Sequence, residues 1–452
     1  MRSGDPFERL LEEHPDARRW VVAYSGGMDS RVLLDLCLRF LSDREGGPTL
    51  EALHVDHGVH PDAADWARRC ADTCEALGVS FSLRRAEAGS AAEDRLRRAR
   101  YQVFEHFCRD DDLLLLAHHQ DDQAETVLLR LLRGAGPAGL AGMPASRPCG
   151  PAILCRPLLE WPRQRLHEHA ITSGLDWIED PSNAQPVYAR NYLRQAVMPL
   201  LDARWPGAAA RIGRAAAHCA DAAAICSVRA DEDLALCLET DRFSQLRLRL
   251  APWRALPLPR RRMVLREWLK AESEQAAEAR SLETLVSEVI EAAPDRHPRL
   301  VIGSMVVRRF DDALYLLPRR ADRAVAPAGF EIDPGHVGQV AGAGRISLLP
   351  EPAGGGIRAG GRYTVAFRAA GMLCRLQGRP AKPLKQVLAE AGIPPWLRDS
   401  VPLLLVDGEL AAVGGIGICE GFEAGPGEPG LRLLWSAGWD LAVSAPGGVI
   451  TT

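Results

Sequence analysis

The chain has 452 residues, 47% hydrophobic and 25% charged, with a formal net charge of −4. That length exceeds what one core ordinarily organises, so two or three domains are expected. The charge argues against a uniformly basic coat for nonspecific nucleic-acid binding, while leaving room for a local basic surface. No uninterrupted apolar stretch is long enough to span a membrane. The N-terminus is too acidic for a secretory signal, so a cytoplasmic location is expected. The eleven cysteines include no CxxC pair. Cys70 and Cys74, beside Trp66 and Leu77, read as the buried face of a helix rather than a zinc site.

Residues 20–133 alternate short apolar runs with helical periodicity. Strands are predicted at 20–23, 50–56, 79–85 and 113–117, and helices at 29–41, 62–77, 91–108 and 121–133. Fourfold alternation predicts an α/β domain with a mostly parallel sheet covered on both faces. Ligands of such sheets bind beyond the carboxyl ends of the strands. A glycine-rich loop at 134–142 and a strand-and-helix segment to about 201 complete a first domain, 1–207. Residues 208–325 predict a mainly helical middle domain. It holds an alanine-rich helix over 208–240, strand-like alternation over 242–250, a helix over 260–270 and a hairpin over 301–317 turning at Asp311-Asp312. Residues 321–335 read as a Pro/Gly linker. Residues 336–452 read as a small α+β domain of short strands with one helix over 383–391, and 444–452 as a frayed tail.

The turn after the first strand reads Ser25-Gly26-Gly27-Met28-Asp29-Ser30. Glycines let backbone N–H groups approach an anion closely, and the following helix N-terminus adds its dipole. Ser25 and Ser30 offer hydroxyl hydrogens to phosphate oxygens. Asp29 would repel bare phosphate and suits the metal that accompanies it. A serine-capped strand-to-helix turn is the plain alternative, but six residues in this context favour a phosphate site. There is no GxxxxGK[ST], so this is not a Walker loop.

His54-Val55-Asp56-His57-Gly58 closes the second strand, where it suits the adenosine half of a nucleotide or simply forms a polar strand end. His118-His119-Gln120-Asp121-Asp122-Gln123-Ala124-Glu125-Thr126 closes the fourth. Asp121 fits an N-cap and Glu125 a first-turn acid. Asp122 and Glu125 share a helix face and can grip a divalent ion or an ammonium group. Arg97 and Arg100 share a face of the 93–101 segment, which is either a solvated face or one turned to nucleotide or RNA. Glu179-Asp180-Pro181-Ser182-Asn183 and Tyr188-Ala189-Arg190-Asn191-Tyr192-Leu193-Arg194 read as a turn followed by an amphipathic helix.

The first string resembles the SGGxDS loop of the PP-loop ATP pyrophosphatases. The strings at 93–101, 118–126 and 179–200 resemble the E-x-x-x-R-x-x-R-Y, H-x-x-x-D-x-x-E-T and D-x-S-N…R-N-x-x-R…P-L segments of the tRNA(Ile)-lysidine synthetases. Lys382-Pro383-Leu384-Lys385 and Ile393-Pro394-Pro395-Trp396-Leu397-Arg398-Asp399, with a hairpin over 403–410, resemble that family's C-terminal domain. The resemblance is strong over 20–200, clear over 360–420 and weak over 208–320, where Arg260-Arg261-Arg262 and Arg308-Arg309 are candidate phosphate contacts.

The resemblance implies ATP and Mg²⁺ held by Ser25, Gly26, Gly27, Met28, Asp29 and Ser30, with Asp29 as the metal ligand. It implies catalytic roles for Asp29, His118, Asp122, Glu125, Arg97 and Arg190, and places Arg100, Asn191 and Arg194 at the RNA. The implied reaction adenylates the C2 oxygen of the wobble cytidine in a tRNA(Ile) with a CAU anticodon. L-lysine then attacks C2, changing decoding from AUG to AUA, and Asp122 and Glu125 are candidates for holding its ammonium group. Lys382, Lys385 and Arg398 would hold an RNA arm. A homodimer is one assembly open to the chain, and no membrane partner is expected. A tRNA thiolase or an amide-forming ligase would call for sulfur-carrying cysteines or a glutaminase domain, and neither is visible. The intact loop argues against a noncatalytic RNA-binding protein.

Overall fold

The computed structural model describes residues 5–58, 60–86, 93–179, 189–270, 279–293, 298–319, 327–351 and 355–437. The chain divides into two compact units, 1–225 and 226–452. Among the described residues no helix is long and apolar enough to cross a membrane.

Unit 1 is built on strands β1 (Arg19–Ala23), β2 (Thr49–Asp56), β3 (Ser80–Arg85), β4 (Asp112–Leu115), β5 (Ser146–Cys149) and β6 (Ala152–Cys155). Its helices are α1 (Pro6–Glu13), α2 (Met28–Ser42), α3 (Ala63–Ala76), α4 (Glu93–Phe107), α5 (Gln120–Leu132), α6 (Pro137–Leu140), α7 (Arg163–Thr172), α8 (Ala189–Tyr192) and α9 (Met198–Arg204). The sheet order is β3-β2-β1-β4-β6-β5, parallel throughout except for β5 against β6. β1 is central, and Trp20, Val21 and Val22 are all 0% exposed. Period-2 alternation splits them between two cores. Trp20 and Val22 pack with Phe7, Leu33, Cys70, Cys74 and Leu166, whereas Val21 packs with Leu53, Phe104, Leu114 and Leu154. Cys70 and Cys74 are therefore core residues, as their spacing suggested.

Helix α1 is absent from the sequence reading. Asp5 caps it through Oδ1 to the Phe7 N–H at 2.8 Å, and it buries Phe7 and Leu10. At the amino end of the sheet, Arg19 donates to Asp112 Oδ1 at 2.9 Å and to Glu51 at 2.6 Å. This clamp ties β1, β2 and β4 together at the edge opposite the strand ends where ligands bind.

The 30-residue helix α10 (Ala208–Cys237) runs through the division. Unit 2 then holds β7 (Leu238–Thr240), β8 (Leu246–Arg249), α11 (Leu250–Ala255), α12 (Leu258–Lys270), α13 (Ala279–Thr284), β9 (Arg299–Ile302), β10 (Met305–Phe310) and β11 (Ala313–Pro318). The strands form an antiparallel sheet, β7-β8-β11-β10-β9, alongside the expected helices. Asp311 and Asp312 turn the predicted hairpin with φ of 48° and 52°, the left-handed pair that a tight two-residue hairpin turn requires. The alternation over 242–250 is only partly strand. Asp241 Oδ1 accepts from the Phe243 and Gln245 N–H groups at 2.8 and 2.9 Å, making a turn before β8.

The basic clusters expected to meet phosphate are largely engaged within the fold. Arg260 Nε pairs with buried Asp233 at 2.7 Å, and Arg261 Nε donates to the Leu256 carbonyl at 2.7 Å. Arg309 donates to the Ile290 and Ala292 carbonyls. Helix ends leave carbonyls that need donors, and arginine supplies them.

Later in unit 2, a five-stranded sheet is formed by 330–331, 363–366, 403–406, 409–413 and 417–418, and a four-stranded sheet by 337–340, 344–351, 430–436 and 357–358. The expected helix spans Leu384–Glu390, and Pro395–Leu397 is one 3₁₀ turn. Lys382 pairs with Glu390 at 2.8 Å, and Arg398 Nε donates to the Ile393 carbonyl at 2.9 Å. This core includes Phe243, whose ring lies 5.6 Å from that of Trp435. Trp396 lies 5.0 Å from Tyr315 of β11, ring to ring. The tail 444–452 lies outside the described residues.

Candidate active site

The carboxyl ends of β1, β2, β4 and β6 converge on one site in unit 1. The loop after β1 is tied by its own hydroxyls. The Ser25 N–H donates to Ser30 Oγ at 3.2 Å, and Ser30 Oγ–H donates to the Gly27 carbonyl at 2.9 Å. Gly26 has φ +83°, and a Cβ there would sit 2.7 Å from Ile178 Cδ1 and 2.8 Å from Cys70 Sγ. Gly27 is the N-cap of α2, with φ −69°, ψ 161° and no side-chain cap. The first N–H groups of α2 thus point out of an uncapped helix start, an arrangement suited to an anion. Arg31, 7% exposed, has Nε and Nη1 buried without a hydrogen-bond partner.

Asp29 connects this loop to the cluster after β4. Its Oδ1 is buried without a partner, and its Oδ2 lies 3.6 Å from Nε2 of fully buried His119. His119, rather than Asp121, is the cap of α5. Its Nδ1 accepts the Asp122 N–H at 3.4 Å, while the His119 N–H donates to Asp122 Oδ2 at 3.2 Å. Asp121 instead accepts the Arg163 N–H at 2.8 Å. Burial alone would lower the His119 pKa, but Asp29, Asp122 and Asp121 outweigh it and the net shift is upward.

The two acids read from the sequence do share a face, and two arginines lie on it. Glu125 is 1% exposed. It accepts from Arg194 Nε at 2.7 Å and Nη2 at 3.0 Å, and Arg190 Nε lies 3.3 Å away. Arg194 Nη2 also reaches Asp122 Oδ1 at 2.8 Å, and Arg190 Nη2 donates to Thr126 Oγ1 at 2.8 Å. Burial raises the Glu125 pKa, and Arg194 only partly offsets this. Burial acts likewise on Asp122, but the charges of His119, Arg194 and Arg190 prevail and its pKa falls. Asp122 is therefore a carboxylate at neutral pH.

His118 adjoins this cluster, and Arg156, just beyond β6, donates to its Nδ1 at 3.1 Å. Arg100 is among the charges that disfavour protonation of both His118 and His57, which places it at the site. Arg97 stands 5.6 Å over the Tyr101 ring, away from the contacts that Asp122 and Glu125 make among the described residues. His54 is buried, with Nδ1 2.9 Å from the Tyr24 carbonyl, and Asp56 Oδ1 accepts the Gly58 N–H at 2.7 Å. Asn191 lies on α8 between the two arginines. Residues 180–188, which hold all but Glu179 of the Glu179-Asp180-Pro181-Ser182-Asn183 string and also Tyr188, lie outside the described residues. Sequence reasoning missed Arg156 and the capping role of His119. The signal for the former was an apolar strand, Ile153-Leu154-Cys155, ending in arginine.

Among the described residues no group of three His, Cys, Asp or Glu is placed to hold a metal. The orphaned Asp29 oxygen beside the loop fits a hard cation whose remaining ligands are phosphate oxygens and water.

The family model for the PP-loop domain matches residues 3–201, that for the TilS substrate binding domain 248–315, and that for the TilS substrate C-terminal domain 363–435. The chain is 38% identical over 445 residues to a tRNA(Ile)-lysidine synthase from Methylococcus capsulatus, covering 96% of this chain and 99% of the relative. It is 40% identical to those from Pseudomonas aeruginosa, covering 93% and 94%, and Alkalilimnicola ehrlichii, covering 96% of each. Such identity from end to end, on a fold that brings the phosphate loop to the acid pair, makes this chain a member of the tRNA(Ile)-lysidine synthase family.

Proposed function

We propose that the enzyme uses ATP to activate the wobble cytidine of a tRNA(Ile) with a CAU anticodon, and joins L-lysine to it. The C2 oxygen attacks the α-phosphorus of ATP and pyrophosphate leaves. The ε-amine of lysine then attacks C2, the C2–O bond breaks and AMP departs, giving lysidine. The observation that carries this reading is the 3.6 Å approach of Asp29 to His119, which unites the phosphate loop with the acid pair in one site.

In this reading Ser25, Gly26, Gly27, Met28 and Ser30 hold the triphosphate through N–H and O–H groups. Mg²⁺ on Asp29 would neutralise phosphate charge. Asp122 and Glu125 take the lysine ammonium, with Asp122 supplying the fixed negative charge. A primary amine must lose its proton to become a nucleophile, and one of these carboxylates accepts it. Arg97, Arg190 and His118 support the reacting groups, while Arg100, Asn191 and Arg194 meet the RNA. Arginine suits this because its planar fork grips phosphate and stacks on bases, and anticodon bases are read unstacked. We assign residues 1–207 to catalysis and 208–325 and 336–452 to gripping the tRNA, in the cytoplasm where these substrates occur.

The test is incubation of the protein with ATP, labelled lysine and tRNA(Ile) transcripts carrying C or U at the wobble position. Label should enter only the C transcript and only with ATP. Label in both transcripts, or in neither, would overturn the reading.

A further inference from the structure

Arg156 is 4% exposed, a rare state for arginine, and neither the motifs nor the reaction so far uses it. Its place follows from topology. β6 runs parallel to β4 with Cys155 opposite Leu115, so the residue after β6 emerges beside the carboxyl end of β4, where His118 follows. The Arg156 N–H donates to the Ala145 carbonyl at 2.8 Å, and Nη1 to the Pro144 carbonyl at 2.7 Å. These bonds aim Nε at His118 Nδ1, 3.1 Å away.

A guanidinium has no acceptor to offer. The His118 nitrogen it faces must therefore be the bare one, and the ring proton must reside on Nε2. The other charges facing the ring are Asp122 of α5, Arg100 of α4 and Arg190 of α8. Three guanidiniums against one carboxylate oppose a cationic ring. Burial is the largest cause and acts in the same direction, and together they hold the His118 pKa down to about 3.

We infer that Arg156 is a positioning residue that fixes His118 as the neutral Nε2–H tautomer, so that His118 serves the reaction as a hydrogen-bond donor and not as a base. Its role toward the reacting oxygens rests on the function proposed above, whereas the tautomer does not. With Nδ1 occupied, His118 has no lone pair for the lysine proton, which falls to Asp122 or Glu125.

The test begins without substrate. Full-length protein is labelled with [¹⁵N]histidine, and the His118 resonances are identified by their loss in His118→Asn. The expected spectrum shows a protonated Nε2 and a bare Nδ1, unchanged from pH 8 to pH 5. In Arg156→Met the ring should stay uncharged in that range, since burial, Arg100 and Arg190 still oppose a cation, but it should lose its single tautomer, with Nδ1–H appearing beside Nε2–H. Lysine transfer by Arg156→Met should then fall severalfold in kcat at every pH from 8 to 5, with the KM for lysine unchanged, as part of the population presents a bare Nε2 in place of the donor. An Nδ1–H tautomer in the wild-type protein, or its titration near 6.5, would overturn the inference whether or not the variant folds. So would an Arg156→Met protein that keeps the single Nε2–H tautomer. Absence of lysine transfer by the wild-type protein, with the spectrum as expected, would count against the proposed function alone.

Discussion

The two adjacent glycines of the phosphate loop should fail for different reasons. Alanine at Gly26 must keep φ +83° and place its methyl 2.7 and 2.8 Å from Ile178 Cδ1 and Cys70 Sγ. Left-handed backbone costs a non-glycine residue about 1–2 kcal/mol, and overpacking adds about 1–3 kcal/mol. Both obstructing atoms are side-chain ends that can yield, so the sum should be near 2–3 kcal/mol. For a unit of this size that is a fall in Tm of roughly 4–12 °C. Alanine at Gly27 keeps an ordinary φ of −69°, and its methyl meets only Ser25 Oγ, at 3.5 Å. Its stability should change by less than about 1 kcal/mol, with a gain from chain entropy as plausible as a loss. Among the described residues nothing requires glycine at 27, so the requirement should come from the ligand, and tRNA-dependent pyrophosphate release should fall at least tenfold. Thermal unfolding and a pyrophosphate-release assay on both variants decide this. Wild-type release by Gly27→Ala, or equal destabilisation of the two variants, would refute the reasoning.

Asp29→Ala should abolish pyrophosphate release while leaving the unfolding free energy within about 1 kcal/mol of wild type, because its Oδ1 has no hydrogen-bond partner and its Oδ2 stands 3.6 Å from His119; near-normal release would sink its assignment to the metal. Glu125→Gln should raise the KM for lysine about ten- to a hundredfold, since one charge-assisted hydrogen bond is worth about 1.5–3 kcal/mol. Its ATP affinity should change much less, and loss of ATP binding with lysine use intact would instead make the acids metal ligands. Removing residues 336–452 should weaken tRNA binding more than ATP binding. It should also loosen what remains of unit 2, because Phe243 and Tyr315 lose their contacts with Trp435 and Trp396; equal tRNA affinity of the truncated and full-length proteins contradicts this.

The strand–helix pairs of the first unit were legible because β1, β4 and the middle of β2 are buried on both faces as largely apolar runs, while α3 buries Ala67, Cys70 and Cys74 at helical spacing; the edge strand β3 is mostly exposed and was read from its alternation. The phosphate loop was legible because its chemistry is local. Helix α1 escaped because it contributes only Phe7 and Leu10 to the core before a polar stretch. The fourth strand was read two residues too long, since Leu116 and Ala117 are apolar but follow the end of β4 into the site. Arg156 escaped for a different reason. Its partner lies 38 residues away, and only strand pairing brings them together. Arg260, Arg261 and Arg309 look in sequence like phosphate contacts, because an arginine satisfying a buried carboxylate or a helix-end carbonyl carries the same letter. The acids of α5 were found, but not the arginines already paired with them, since pairing depends on how the segment after residue 188 packs.

The strand order has a consequence for synthesis. β1 needs β2 on one edge and β4 on the other, and β4 lies about 90 residues further along. At roughly 5–20 residues per second, the β4 edge of Trp20-Val21-Val22 stays bare for several seconds after β2 has left the ribosome. An apolar open edge is a template for pairing with another chain. Arg19, at the start of that edge, places a charge against such pairing until Asp112 of the arriving strand takes it up. A ribosome stalled between residues 56 and 112 should therefore leave a nascent chain that aggregates, and Arg19→Leu should make it aggregate more.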